Sequence, residues 1–409
     1  MPNDVAILGG GFMGVCAALE CAHRGISVDL YDRRSELLAE AGRVNEGKIH
    51  VGYVYANDPT EKTTRRLVDG AVLFARCLGR WIDLHATPLE TSEPFDYAVL
   101  RQSALPVSTI ESHFRVVDRI LDEAEQTHGA RYLNRPSAVP FEPLSSEEFE
   151  QRYDRAHVAA VYRTTERSVD AWRLAERLRE AVRGSARIRV HTGTTVLGVC
   201  REAAAGFIVA LRSGEAEKRE RYRYVVNALW GGRLGIDAGL GFVPGRRWLY
   251  RYKFGIRLAL RQGAPLPPTV TLVHGSFGDA VNFSTGLTYV SWYPAGMVGT
   301  SDAIVPPDWG AMFDERQRRA IACASVQALG TYLKALRDVP EAQVTACHVD
   351  GGIIFAWGAT DIDDPESELH QRHAIGIRTD GNYHSVDPGK YTMAPMFAVQ
   401  LGERLVRSG

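Results

Sequence analysis

The sequence is short of nearly everything that would mark an unusual environment. Its charges cancel: 48 lysine and arginine residues stand against 49 aspartate and glutamate, a net charge of -1. No large basic field is left to draw in nucleic acid or an anionic membrane surface. Cysteine is sparse and scattered, six residues (Cys16, Cys21, Cys77, Cys200, Cys323, Cys347) without a CxxC pair, which excludes the disulfide framework of small secreted domains and points to a reducing cytoplasm. No apolar run approaches the roughly 20 residues of a membrane span. The opening MPNDVAILGG lacks the charged, apolar and small-residue regions of a signal peptide. Internal repeats and low-complexity tracts are missing as well. What remains is ordinary, 45% hydrophobic and 24% charged, enough to bury a core without metals or disulfides. At 409 residues the chain exceeds the about 250–300 at which single cores stop growing. Two intertwined or consecutive domains with a small-molecule partner are expected.

The first feature present is a nucleotide fingerprint. Val5-Ala6-Ile7-Leu8 is a short apolar run, as a buried parallel strand would be, and Gly9-Gly10-Gly11-Phe12-Met13-Gly14 follows at once as GxGxxG. Gly9 suits the tight turn, Gly11 lets backbone approach a pyrophosphate, and Gly14 allows close packing of helix on strand. The helix that follows, Val15 to about Arg24, points its N-terminal N–H groups at the phosphates. Gly25 ends it, Ser27 to Tyr31 reads as the second strand, and Asp32 stands where an acid hydrogen-bonds ribose hydroxyls. Arg33-Arg34 is either a contact for a 2′-phosphate or a solvated pair, and the acid in front of it makes the phosphate reading the weaker. The fingerprint by itself establishes a dinucleotide and does not separate FAD from NAD.

Two further segments have compositions unlike connectors. Residues 42–58, GRVNEGKIHVGYVYAND, mix Arg43, Asn45, Lys48, His50 and tyrosines between glycines. Near the other end, TDGNYHSVDPGKYT leads into an apolar helix, Met393 to about Val406, giving a second positive helix terminus suited to a developing negative charge. With GGGFMG and Asp32, NEGKIHVGY, VVNALWGG at 225–232 and GKYTMAP at 389–395 in this order, the sequence resembles the D-amino acid oxidase-like (DAO) superfamily of FAD-dependent oxidoreductases. The NEGKIHVGYVYA wording is most similar to its L-2-hydroxyglutarate and glycerol-3-phosphate dehydrogenase branch.

The resemblance implies an α/β fold in which a Rossmann-like FAD-binding domain (1–88, 151–245 and 346–409) is interleaved with an antiparallel-sheet, α+β substrate domain (89–150 and 246–345). It implies FAD as cofactor. The turn Gly9, Gly11, Phe12, Met13, Gly14 would hold the pyrophosphate, and Asp32 the adenosine ribose with Arg33 and Arg34 beside it. Arg43, Asn45, Gly47, Lys48 and Ile49 would wrap the pyrophosphate and ring. Val196 matches the position whose backbone meets the adenine, and Asn227 and Ala228 the strand end under the nucleotide. Gly389, Lys390 and Thr392 would surround the pyrimidine end of the flavin, where the next helix terminus stabilises reduced flavin. The family strand reads NAAG or close to it, whereas Leu229-Trp230-Gly231-Gly232 follows Asn227-Ala228 here; Trp230 either covers the adenine side or fills core. Arg372 and Arg378 are the candidates for a substrate-carboxylate arginine.

Apolar spacing predicts helices at Thr60–Leu78, Ser108–Ala124, Asp170–Val182 (N-capped by Asp170) and Asp314–Leu336, and strands at Arg187–Val190, Phe207–Leu211 and Leu287–Tyr293. In the strand around 250–258, Tyr250, Tyr252, Phe254, Ile256 and Leu258 alternate with Arg251, Lys253, Gly255 and Arg257. That basic face is either solvated or lines the substrate cavity and binds a carboxylate or phosphate.

His50 is the first candidate for proton transfer, since an imidazole with a pKa near about 6.5 can take a proton from a C–OH or C–NH donor as hydride leaves; the alternative is a structural histidine. Tyr53 either orients substrate or is a core aromatic with a satisfied hydroxyl, Arg251 is a candidate to bind substrate, and Tyr383 and His384 are candidates by proximity in the last loop. His370 and His373 lack a third ligand, so no metal is expected. Cys347 reads as a plain buried thiol. Three functions follow: oxidation of a small hydroxy acid or amino acid, oxidation of an amine with oxygen as acceptor, or non-catalytic nucleotide binding. The electron acceptor, oxygen, quinone or other, stays open.

Overall fold

The computed structural model describes residues 4–136, 139–202, 206–275, 277–283, 285–337, 343–362, 364 and 366–408. Among these the first layer is a six-stranded sheet. Five strands run parallel, Tyr383–Asp387, Tyr224–Asn227, Val5–Leu8, Val28–Tyr31 and Ile188–His191 in spatial order, and Gly376–Asp380 adds an antiparallel edge. The continuous apolar runs follow from burial on both faces. Val5, Ile7, Val28 and Leu30 pack with helices Phe12–His23, Lys62–Leu78, Ala171–Arg183 and Ala394–Ser408. Ala6, Leu8 and Tyr31 pack on the other side with a three-stranded meander, 194–202, 206–213 and 216–222, and helix Arg233–Gly239. Asp170 caps its helix through the N–H groups of Trp172 and Arg173.

The second sheet has nine strands among the described residues. Its spine is Trp248–Leu260, paired along its whole length with Val344–Trp357 and on the other edge with Leu287–Trp292 and Met297–Ser301. Beyond these lie Gly278–Asn282, Val270–Val273, Asp96–Leu100, Val158–Arg163 and Glu142–Pro143. Two differences from the sequence reading follow. Val158–Arg163 and, from residue 346 on, Val344–Trp357, allotted by sequence to the nucleotide-binding segments, pair in this sheet. The sheet is mixed, because Val270–Val273 runs parallel to Asp96–Leu100. Helix Glu315–Gly330 starts with a capping box, Asp314 with Gln317. The long helix expected to Leu336 breaks after Gly330 and resumes only as the short turn Lys334–Arg337.

One face of this sheet packs under the 315–330 helix. The other turns toward the first layer: Tyr97, Val99, Val273, Val281 and Tyr289 share a core with Val5, Ile7 and the helices. In the spine strand Ile256 and Leu258 go to the helix side, whereas a Cβ at Gly255 would meet Tyr289. Arg251, Lys253 and Arg257 share the parity of Gly255. The basic face therefore points inward, and Arg251 is only 2% exposed.

Candidate active site

The turn between Val5–Leu8 and Phe12–His23 gives its glycines different duties. Gly9 lies at φ +101°, and a Cβ there would stand 2.7 Å from the Ala228 carbonyl oxygen; one on Gly14 would collide with the carbonyl oxygen of Gly9. A Cβ on Gly11 would meet nothing within 4 Å. Two glycines thus serve the protein's own packing, and the third leaves open backbone at a helix N-terminus, which fits a pyrophosphate. Asp32 accepts the N–H groups of Gly10 and Arg34, both at 2.7 Å, so its carboxylate braces the turn; burial, opposed by those two bonds, pushes its pKa up. Arg33 and Arg34 are both bound to Glu40, at 2.7 and 2.6 Å, an exposed internal pair rather than free phosphate donors. Arg43 lies over the Trp172 ring at 4.1 Å.

The two composition-marked segments, far apart in sequence, meet. The His50 backbone N–H donates to Thr392 Oγ1 at 2.9 Å, and the Thr392 hydroxyl donates to the Lys48 carbonyl at 3.4 Å. The loop before His50 is shaped by Asn45, whose Oδ1 accepts the Gly47 N–H at 2.7 Å, and by Gly47 at φ +69°, where a side chain would strike the Val169 carbonyl. Ile49 N–H donates to Arg167 at 3.0 Å. At the other segment Gly389 takes φ +61°, and Tyr391 stacks on Phe12 with centroids 3.8 Å apart. The nucleotide turn, the 45–50 loop and the 389–392 turn are therefore one assembly.

Around it lies a dense set of ionisable groups. His50 is 5% exposed, its Nδ1 has no hydrogen-bond partner, and it stands 3.9 Å from Glu166 Oε1. Burial, reinforced by Lys390, Lys48 and Arg372, holds the imidazole well below its usual pKa, so it is neutral at pH 7. Glu166 accepts the Val51 N–H at 2.7 Å and the Tyr97 hydroxyl; burial raises its pKa against the pull of Lys48. Lys48 bonds to Asp279 at 2.8 Å and to Thr271. Burial would discharge Asp279, but Lys48 and Lys253 outweigh it and keep the carboxylate below its ordinary range. Arg251 pairs with Asp361 at 3.0 Å. Arg372 donates to the Phe355 carbonyl at 2.9 Å. Lys390 sits over Tyr55 at 5.7 Å, and burial together with Arg372 lowers its pKa to about 8.

A sequence profile described as FAD-dependent oxidoreductase (DAO) matches residues 4–362. The chain belongs to the DAO family. It is an FAD-dependent oxidoreductase, with FAD as its cofactor. Solved structures agree in fold. L-α-glycerophosphate oxidase from Mycoplasma pneumoniae superposes with a TM-score of 0.66 at 15% identity, covering 100% of this chain and 95% of that one. Glycine oxidase from Geobacillus kaustophilus gives 0.66 at 17%, covering 98% and 95%. L-proline dehydrogenase from P. horikoshii gives 0.65 at 15%, covering 99% and 94%. At these identities the likeness is one of fold. No curated protein matches the sequence significantly.

Several other predicted residues of this DAO-family chain lie apart from the His50 assembly. Tyr53 is buried against Phe114 and donates to Asp118. Tyr383 and His384 belong to a sheet strand, not a loop. The Tyr383 hydroxyl donates to Asp237 at 2.7 Å, and Asn227 Nδ2 donates to Tyr383 at 2.9 Å and to Asp237 at 3.0 Å, a network that ties three elements together. His384 contacts Thr379. Val196 is half-buried and pairs with Leu211. Trp230, at φ +52°, donates to the Ile353 carbonyl at 2.8 Å, joining the two layers. Arg378 is exposed over the Phe242 ring at 4.2 Å, so of the two candidate arginines only Arg372 is at the assembly. Cys347 is exposed, contrary to the buried thiol expected, because it sits on the outer part of Val344–Trp357. Glu166, Asp279 and Tyr293 escaped sequence reading, since isolated residues on strands and connections form no motif. Among the described residues no group of three or more His, Cys, Asp or Glu could hold a metal, and no helix is long and apolar enough to cross a membrane.

Proposed function

We propose that the chain oxidises a small hydroxy acid or amino acid, with His50 as the proton acceptor. The carrying observation is His50 itself, a buried, neutral imidazole with a free Nδ1, fastened through Thr392 to the 389–392 turn and ringed by cations. Bound FAD supplies the hydride acceptor at N5. The turn from Gly9 through Phe12 and Met13 to Gly14 would meet its pyrophosphate, with Gly9 and Gly14 closing the turn and Gly11 offering the open backbone; Asp32 would stand on the ribose side, Val196, Asn227 and Ala228 at the adenosine end, Arg43, Asn45, Gly47, Lys48 and Ile49 would wrap pyrophosphate and ring, and Gly389, Lys390 and Thr392 the pyrimidine end of the ring. The neutral imidazole accepts the proton of the substrate hydroxyl or amine, its low pKa favouring the free base across physiological pH. Arg372 and Lys390 orient a carboxylate. All six cysteines are free thiols, three of them exposed, which suits a cytoplasmic setting.

The test is optical. Purified protein is expected to show a bound-flavin visible spectrum that bleaches anaerobically with a hydroxy acid or amino acid. Hydrogen peroxide on admitting air would identify oxygen as the acceptor. A colourless protein, or a flavin that no hydroxy or amino acid reduces, would overturn the proposal.

A further inference from the structure

The nucleotide-binding sheet carries a second opening. A cleft of about 470 Å³ lies at its antiparallel edge, between the edge strand Gly376–Asp380, the start of helix Arg233–Gly239, the loop from Phe242 to Arg246, and Trp357. Its volume falls within the about 300–1,000 Å³ of small-molecule sites. His50, Glu166, Lys48, Lys390 and Thr392 all lie outside its wall. The two acids that line it are already committed. Asp387 accepts the Trp357 Nε1–H at 2.9 Å, the Gly389 N–H at 3.0 Å and Arg233 at 3.2 Å. Asp237 accepts the Ser385 and Tyr383 hydroxyls, both at 2.7 Å, and Asn227 Nδ2 at 3.0 Å, and stands 3.5 Å from Arg233. Arg233 therefore takes both carboxylates. Arg246 and Arg378 have none among the described residues: Arg246 donates to the Ala374 carbonyl at 3.0 Å and lies over the Trp357 ring at 4.9 Å, and Arg378 lies over the Phe242 ring at 4.2 Å.

An exposed arginine ordinarily samples many rotamers, and ordering it weakens any anion site built on it. Here both guanidiniums rest on ring faces, which holds them in place and leaves their N–H edges to a ligand. The cleft sets three guanidiniums against two carboxylates. One positive charge is in surplus, which a monoanion balances and a dianion overshoots. The rest of the lining includes Leu234, Pro244, Ile375 and Ile377, all aliphatic. The aromatic rings are taken, Phe242 by Arg378 and by Tyr383 stacked at 5.5 Å, and Trp357 by Arg246 and by Arg233 at 5.7 Å. What is left for a ligand body is aliphatic wall, which suits a saturated group better than a flat ring.

We infer that this cleft is a second ligand site, taking an organic monocarboxylate with a compact saturated body, its carboxylate drawn to Arg246 and Arg378. The inference does not depend on which acid His50 helps to oxidise. Holoenzyme is titrated calorimetrically with cyclohexanecarboxylate, acetate, cyclohexanecarboxamide and inorganic phosphate. One cyclohexanecarboxylate per chain is expected, bound about tenfold or more tighter than each of the other three. Arg246→Ser and Arg378→Ser change exposed side chains outside the His50 assembly. Each should weaken that binding about tenfold and leave the flavin spectrum and thermal midpoint of the holoenzyme unchanged. Equal affinity for acid and amide overturns the role of charge, equal affinity for acetate overturns the saturated body, and tighter binding of phosphate overturns the monoanion. Full affinity in both serine variants puts the probe elsewhere and overturns the site itself. So does the lack of any saturable heat from the acid at millimolar concentration. A serine variant that loses its flavin would make the cleft part of the cofactor site and overturn its separateness.

Discussion

At the scale of single residues, the assembly depends on one histidine kept uncharged by its surroundings. His50 loses water and faces Lys390, Lys48 and Arg372, all of which oppose its protonation, while Glu166, 3.9 Å away, is already engaged by Val51 and Tyr97. A base in such a place is available at every pH the enzyme meets, and removing it takes away proton transfer without removing a charge. His50→Gln should therefore keep its flavin and slow anaerobic flavin reduction by about 10²–10⁴-fold, the usual worth of a positioned general base, as read by stopped-flow absorbance. An unchanged rate would leave His50 a structural residue that fastens the 389–392 turn. His50 was legible because it stands in a glycine-punctuated run. Glu166 was not, because what makes it notable is burial and the arrival of Tyr97 and Val51 from other elements. Tyr53 stayed open between substrate and core for the mirror reason: its place beside His50 in sequence says nothing of Asp118, which takes its hydroxyl.

At the scale of elements, the nucleotide turn separates two kinds of glycine that a sequence pattern treats alike. Gly14 is required by helix-on-strand contact with the Gly9 carbonyl, whereas Gly11 borders open space. Gly14→Ala should then cost the fold itself, by about 1–3 kcal/mol as for overpacking in a tight contact, and lower the thermal midpoint whether or not flavin is present. Gly11→Ala should leave the midpoint of flavin-stripped protein unchanged and weaken FAD retention on gel filtration, since only the ligand meets the methyl. Equal behaviour of the two variants would contradict this division. The spine strand Trp248–Leu260 shows where reading by element stops. Its period-two pattern is plain in the sequence, and so is the presence of one basic face. Which face looks inward depends on the neighbours Leu287–Trp292 and Val344–Trp357 and on the aromatic side chain of Tyr289, long-range pairings that local spacing does not encode.

At the scale of the whole molecule, two sheets close on one core and bring cations from both layers into a low-dielectric interior, so binding and folding pull on the same proton. Lys390 has its pKa lowered to about 8, first by burial and then by Arg372, against an ordinary value of about 10.4. An anionic ligand needs the protonated ammonium. Its dissociation constant should rise with pH above about 8, by up to tenfold per unit from this group, and Lys390→Met should flatten that limb while raising the constant at neutral pH. Folding responds with the opposite sign. Between about 8 and 10.4 the unfolded chain keeps the proton that the folded protein has released, so ligand-free stability gains from this group as pH rises through that window and is penalised below it. Calorimetric titration with an anion and denaturant unfolding of ligand-free protein, both run from pH 7 to 10, should therefore slope in opposite directions in the wild type, and both slopes should shrink in Lys390→Met. Parallel slopes, or a variant indistinguishable from the wild type, would place the titrating group elsewhere.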